Sequence, residues 1–173
     1  MSSSSHAISG SDTGNPEPEV TLSREQERVV ARIMQGRNVF YTGSAGCGKS
    51  AILRAFKTRL GAAGKRVDVI APTNLAALNV GGITLHSYAG WIPVDNPKKD
   101  DYSIDELKKR LFKKNKDEKT TAYHFEQTDV LVIDEISMVD SNSFRRLNEV
   151  MKCARKSTAA FGGVQMVVTG DVC

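Results

Sequence analysis

The order of apolar and polar positions along the chain predicts strands that alternate with helices. Short apolar runs predict four strands, at Asn38–Thr42, Val67–Ala71, Val130–Ile133 and Val164–Thr169. Helices are predicted between Thr21-Leu22-Ser23 and Gly36, from Ala51 to Leu60, from Pro72-Thr73-Asn74 onward, from Ile104 to Lys114 and from Ser141 to Cys153. Strands that are apolar on both faces and alternate with helices are typical of the α/β class, a mostly parallel sheet with helices on both faces.

The chain divides into a tail and one domain. Residues 1–20 are rich in Ser, Gly, Pro and Asn and contain no Lys or Arg, a composition that predicts a disordered tail. Residues 21–173 are long enough for one domain with a substantial core. Residues 96–120 form a polar, lysine-rich excursion that we interpret as an insertion, and its lysines are typical of a solvated helix face.

A glycine-rich segment between the first strand and the next helix carries the strongest functional signal. Gly43-x-x-x-x-Gly48-Lys49-Ser50 matches the phosphate-binding P-loop in full, with the strand before it and the helix after it that this motif requires. We expect Lys49 to contact the β- and γ-phosphates of ATP and Ser50 to bind Mg²⁺. The predicted nucleotide contacts within the loop are Gly43, Ser44, Ala45, Gly46, Cys47, Gly48, Lys49 and Ser50.

Two carboxylates follow the apolar run that ends at Ile133. In an open parallel sheet, ligands bind beyond the carboxyl ends of the strands, which is where Asp134 and Glu135 are predicted to lie. Asp134 is therefore the second predicted Mg²⁺ ligand, and Glu135 is the candidate general base for the attacking water. A polar cap on a strand end is the alternative.

Two other segments have more than one interpretation. Ser23-x-x-Gln26 fits a helix capping box. It also precedes the P-loop at a spacing suited to recognition of adenine by the Gln26 carboxamide. His86, Ser87, Tyr88 and Trp91 combine groups suited to phosphates and stacked bases, but a lone His among aromatic residues is more often packed.

Composition narrows the class of protein. The formal net charge is +4, and because the first 20 residues contain three acidic and no basic side chains, the rest carries +7, which weakly favours a polyanionic partner. Three cysteines at unrelated spacings indicate neither a disulfide framework nor a zinc site. No apolar stretch is long enough to span a membrane, so we expect no membrane partner.

Five segments in order resemble the motifs of the Pif1 family of superfamily-one DNA helicases. They are Leu22–Gln26 (Q motif), Gly43–Ser50 (motif I), Ala71 through Ser87 (motif Ia region), Asp134–Asp140 (motif II) and Phe161–Asp171 (motif III). The resemblance implies a RecA-like ATPase domain over residues 21–173. It also implies that Gln26 reads adenine and that Thr73, His86 and Ser87 contact DNA.

The function implied by this resemblance is ATP- and Mg²⁺-dependent translocation along single-stranded DNA from 5′ to 3′, in DNA repair, recombination and telomere maintenance. We expect a monomer in the nucleus, with the mitochondrion as a second location. The alternatives are a non-helicase P-loop ATPase or kinase, which would not bind single-stranded DNA, and a non-catalytic nucleotide-binding fragment.

The chain departs from the family pattern in two places. The family's motif III continues to a Gln that senses the γ-phosphate, whereas these residues read Gly170-Asp171-Val172-Cys173, and the 173 residues do not include the family's second RecA-like domain with its arginine finger. We therefore expect this chain alone to bind nucleotide weakly, to hydrolyse it very slowly and not to unwind DNA. Cys47 replaces the usual Thr of the loop, a change expected to be tolerated.

Overall fold

A computed structural model describes residues 21–44, 46–91, 102–114 and 119–171. Its five strands form one parallel sheet in the order β1-β5-β4-β2-β3. The strands are β1 (Val39–Thr42), β2 (Val67–Ala71), β3 (Ile83–Thr84), β4 (Val130–Ile133) and β5 (Gln165–Gly170). Because all five run in the same direction, all end at one edge, which we call the carboxyl edge. The predicted α/β class is confirmed.

Seven α-helices connect and cover these strands within the described ranges. They are α1 (Arg24–Met34), α2 (Lys49–Ala62), α3 (Asn74–Asn79), α4 (Leu85–Ala89), α5 (Ile104–Arg110), α6 (Thr121–Gln127) and α7 (Ser141–Ala154). Two short 3-10 helices, Ile136–Met138 and Ala160–Gly163, follow β4 and precede β5. No helix in the described part of the chain is long and apolar enough to cross a membrane.

The sheet separates two apolar cores because successive strand residues face opposite sides. In β4, Val130 and Val132 pack with residues of α1 and α2, whereas Leu131 and Ile133 pack with residues of α4 to α7. All four side chains are at most 1% exposed. This double burial explains why the strand reads as an uninterrupted apolar run.

The outer strand β1 departs from the expectation that every strand is covered on both faces. Tyr41 is buried, but Phe40 is 63% exposed. β1 pairs only with β5 among the described strands. Helices therefore cover the central strands on both faces, while β1 is covered on one face in the described part of the chain.

Several predicted boundaries need correction. α5 was predicted to reach Lys114 but ends at Arg110. A longer helix would place Lys113 and Lys114 three and four residues after Arg110 on one helix face, where like charges repel. The elements β3, α4 and α6 were not predicted, because they contain only two, five and seven residues and show no full period. The predicted tail, residues 1–20, and parts of the predicted insertion, residues 96–101 and 115–118, lie outside the described residues.

Candidate functional site

The carboxyl edge gathers the predicted site residues into two neighbouring groups. The P-loop follows β1, Asp171 follows β5 and Asp134 follows β4, three strands that are adjacent in the sheet. Thr73 and His86 follow β2 and β3, the next two strands. A candidate nucleotide site and a candidate nucleic-acid site therefore lie side by side at one edge.

The P-loop turns directly from β1 into α2. Gly48 caps the helix with φ +87°, a left-handed conformation that residues with a side chain rarely adopt. Lys49 is the first residue of α2, two residues earlier than the helix start predicted from the sequence. The helix N-terminus, with its unpaired amides and positive dipole end, therefore begins within the loop that the sequence assigns to phosphate binding. Ala45 lies outside the described residues.

The ammonium group of Lys49 is held by the loop itself and by one acidic residue. Its Nζ donates to the backbone oxygen of Gly43 at 2.7 Å and of Ser44 at 3.3 Å, and it forms an ion pair with the carboxylate of Asp171. The hydrogen bond with Asp171 raises the pKa of Lys49 above its usual range. The lysine is therefore fully charged at neutral pH and its donors already have partners.

Gln26 and Cys47 join the N-terminal helix to the loop. The capping box is confirmed: Ser23 N–H donates to Gln26 Oε1 at 2.7 Å, and Gln26 N–H donates to Ser23 Oγ at 3.2 Å. Gln26 Nε2 also donates to the Cys47 backbone oxygen at 3.3 Å. The thiol of Cys47 packs against Gly43, so it lies beside the loop backbone. Adenine reading by Gln26 stays a prediction.

Asp134 and Glu135 lie at the end of β4 as predicted. Burial is the main cause that raises the pKa of both carboxyl groups, and the charge of Asp171 raises both further. Glu135 has φ 52° and ψ 48°, the left-handed region that a residue with a side chain occupies at a cost of about 1–3 kcal/mol. A strained backbone directly after a buried strand is typical of functional sites.

Oxygen donors suited to Mg²⁺ are present at this end of the sheet. Ser50, exposed on the first turn of α2, offers a hydroxyl, and Asp134 offers a carboxylate, both of which are ligands that Mg²⁺ prefers. On the paired strands β1 and β5, Tyr41 and Thr169 are buried beside each other, and burial raises the pKa of Tyr41, which the charge of Asp134 raises further. The residues present therefore fit a hydrated Mg²⁺ ion.

The three predicted DNA contacts lie together at the ends of β2 and β3. Thr73 caps α3, where its Oγ1 accepts from the Ala76 amide at 3.2 Å. His86 is exposed on α4, with its ring edge-to-face on Trp91 at 5.8 Å between centroids. Because His86 is exposed and also in ring contact with Trp91, a contact between His86 and DNA stays a prediction. Ser87 is exposed as well, and its Oγ accepts a hydrogen bond from Thr84 at 2.9 Å.

Sequence reasoning assigned no role to Asp171 or Tyr41. The signal for Asp171 was available, because an acidic residue two positions after the end of the predicted strand Val164–Thr169 must lie at the carboxyl edge. That β5 is inserted between β1 and β4, and so brings Asp171 to Lys49, follows only from the strand order. Tyr41 could not have been identified from its position in an apolar strand.

The comparisons with known proteins all point to the same family. The model of the family described as PIF1-like helicase matches residues 21–173. The ATP-dependent DNA helicase PIF1 of Candida albicans is 43% identical over 163 residues, which cover 93% of this chain and 17% of that protein. The chain thus spans about a sixth of the length of this relative.

Solved structures agree with this assignment. A crystal structure of the Candida albicans Pif1 helicase matches with a TM-score of 0.75 and 43% identity, over 88% of this chain and 33% of that one. A Bacteroides Pif1 helicase in complex with ADP-AlF3 and single-stranded DNA matches with a TM-score of 0.66 and 30% identity, over 88% of this chain and 32% of that one.

Proposed function

This chain belongs to the PIF1-like helicase family, and on that premise we propose that it is a motor domain of an ATP-dependent DNA helicase. The observation that carries the proposal is the adjacency of two groups at the carboxyl edge: Lys49, Asp134 and Glu135 on one side, and Thr73, His86 and Ser87 on the other. A nucleotide site that borders a DNA site is what coupling between ATP hydrolysis and movement requires.

ATP binding begins with an exchange of partners at Lys49. Its ammonium group leaves Asp171 and the loop carbonyls and binds the β- and γ-phosphates, while the amides at the start of α2 surround the β-phosphate. Ser50 and Asp134 would hold Mg²⁺, which would supply positive charge against the phosphates. Gln26 lies in the first turn of α1, and its carboxamide is hydrogen-bonded to the loop at Cys47. This carboxamide recognises the adenine base.

Hydrolysis requires a base for the attacking water, and Glu135 fits that role. Burial raises the pKa of its carboxyl group, which makes the carboxylate a stronger proton acceptor than an exposed one. Water attacks the γ-phosphorus, the bond to the bridging oxygen of ADP breaks, and the proton of the water passes to Glu135. The left-handed backbone of Glu135 fixes where the carboxylate points.

Single-stranded DNA crosses the ends of β2 and β3. His86 and Trp91 offer rings for stacking on bases, and Thr73 and Ser87 offer hydroxyls to phosphate oxygens. Support comes from the similar Bacteroides helicase, which is in complex with single-stranded DNA and a nucleotide analogue. We further propose that movement is 5′ to 3′, that the protein acts in DNA repair, recombination and telomere maintenance, and that it is a monomer in the nucleus, with the mitochondrion as a second location.

Titration of a labelled oligo-dT with the purified chain, followed by fluorescence anisotropy, tests the DNA side of the proposal. Binding should weaken with salt, with a log–log slope of about −0.7 for each neutralised phosphate. His86→Ala should weaken binding about 5-fold or more, since a stacked base contributes about 1–3 kcal/mol.

A matched control removes an exposed side chain at the edge of the sheet opposite the carboxyl edge. Gln127 lies at the end of α6, before β4, and Gln127→Ala should leave DNA affinity unchanged. A chain that binds ATP but no oligo-dT at low salt would instead be a non-helicase P-loop ATPase or kinase. Equal affinities of His86→Ala and wild type would remove His86 from the proposed DNA site.

A further inference from the structure

A basic pocket lies on the face of the sheet that α4, α5 and α6 cover. Its volume is about 490 Å³, and side chains from all three segments line it. The lining residues that matter here are Ser87, Arg110, Lys113, Lys114, Thr121 and His124. Three of them are permanently cationic and none is acidic.

Lys113 and Lys114, two of the three cations of this pocket, are not paired within the part of the chain that the structure describes. Lys113 and Lys114 are exposed, and neither forms an ion pair with an acidic side chain among the described residues. Lys108 and Lys152 on the neighbouring surface differ, since both pair with Glu149, at 3.9 Å and 3.3 Å. Cations that repel one another around a common depression favour binding of an anion.

The pocket is also preorganised in part. Arg110 is held by its guanidinium over the ring of Tyr102, 3.8 Å from the centroid. Thr121 lies on the first turn of α6 and Ser87 on α4, so two hydroxyls line the pocket beside the cations. Hydroxyl, lysine and arginine side chains are the groups that contact phosphate oxygens in nucleic-acid complexes.

Ser87 joins this pocket to the DNA site proposed above. It follows His86 on α4 and lines the pocket together with residues of α5 and α6. A strand that contacts His86 and Ser87 therefore meets the basic pocket directly beside them. This continuity favours the sugar–phosphate backbone of the same strand over an acidic polypeptide as the occupant.

We propose that the pocket formed by Arg110, Lys113, Lys114 and Thr121 binds backbone phosphates of the single-stranded nucleic acid that contacts Ser87. The inference rests on the proposed DNA-binding function and adds a second contact region to it. Arg110, Lys113 and Lys114 of the lysine-rich segment are then part of the nucleic-acid site and not merely a solvated face. Their contribution is electrostatic and independent of base sequence.

The test compares two charge-matched double variants of the full 173-residue chain. Lys113→Gln/Lys114→Gln removes two charges from the pocket, and Lys65→Gln/Arg37→Gln removes two exposed charges near the opposite edge, before β2 and β1. All four side chains are exposed, so both variants should fold. Anisotropy of labelled oligo-dT is measured over a range of salt concentrations.

The pocket variant should show a log–log salt slope less negative by about 1.4, because two phosphate contacts contribute about 0.7 each. With equal affinities at 1 M salt, this difference in slope means that the pocket variant binds DNA about 25-fold more weakly than wild type at 0.1 M salt. The control variant should keep the wild-type slope. Lys113→Arg/Lys114→Arg should restore it, since charge and not the lysine shape matters.

Five results would overturn the inference. If wild type binds DNA and the pocket variant keeps the same salt slope, the pocket does not bind DNA phosphates. The proposed function would then still stand. An equal loss in the control variant would show a general charge effect. Binding of poly-glutamate as tight as that of oligo-dT would indicate an acidic polypeptide, and loss of inorganic phosphate binding without loss of DNA binding would indicate a small-anion site. Absence of DNA binding by wild type would overturn both proposals.

Discussion

The ion pair between Lys49 and Asp171 should oppose nucleotide binding. Before ATP binds, the ammonium group that must reach the phosphates is engaged by a carboxylate, and that carboxylate also repels the incoming negative charge. Asp171→Asn keeps the size of the side chain but removes both effects. We therefore expect the variant to bind Mg-ATP more tightly than wild type.

The size of the gain follows from the exposure of the pair. The Lys49 side chain is 14% exposed and the Asp171 side chain 42%, so solvent screens the interaction as at a protein surface. Pairs of this kind contribute about 0.2–1 kcal/mol, which corresponds to an affinity gain of about 1.4- to 5-fold. High salt should reduce the difference, because it screens the pair.

A fluorescent ATP analogue titrated in the presence of Mg²⁺ measures this effect. Glu126→Gln makes the same charge change at an exposed position on α6, away from the carboxyl edge, and should leave the affinity unchanged. Equal or weaker binding by Asp171→Asn would refute the reasoning. The same gain in Glu126→Gln would assign it to net charge and not to the ion pair.

Three further predictions concern stability. Gly61→Ala should stabilise the chain by about 0.5–1 kcal/mol, since Gly61 lies inside α2 and a Cβ there meets nothing within 4 Å. Gly82→Ala should destabilise it, because a Cβ would lie 2.4 Å from the backbone oxygen of Val69. Opposite shifts of the melting temperature would confirm this pair, and shifts of the same sign would contradict it. Asp140→Ala should cost about 0.5–2 kcal/mol in urea unfolding at pH 7, because Asp140 caps α7 through the Ser143 amide at 2.8 Å. Its hydrogen bonds with Ser143 lower the pKa of Asp140, so its contribution is complete above the ordinary carboxyl pKa and is lost as the pH falls through the lowered value. A cost of the substitution that did not decrease as the solution is acidified would contradict this.

The P-loop and the central strand could be predicted because their signals are local. Val130–Ile133 is apolar at every position and matches β4 residue for residue. The P-loop is a motif whose spacing is set by the phosphates it surrounds, so it is readable without tertiary context. The capping box of Ser23 and Gln26 was also readable, since both partners lie within one helical turn.

Features that depend on long-range packing could not be read from the sequence. The short helix α6 buries only Ala122 and Phe125 and is defined by its packing on other elements, not by a period of its own. The contact between Lys49 and Asp171 joins residues 122 positions apart and requires the strand order to be known. For the same reason, the pocket around Lys113 appears only once α4, α5 and α6 have been placed together.

The central claim is that Lys49 and its loop bind the phosphates of ATP. Its most direct test is titration of the fluorescent ATP analogue with Mg²⁺ into wild type, Lys49→Ala and the remote variant Lys65→Ala. We expect binding by wild type and by Lys65→Ala, and at least tenfold weaker binding by Lys49→Ala, since one hydrogen bond to a charged group contributes about 1.5–3 kcal/mol. Equal affinities of wild type and Lys49→Ala would contradict the account.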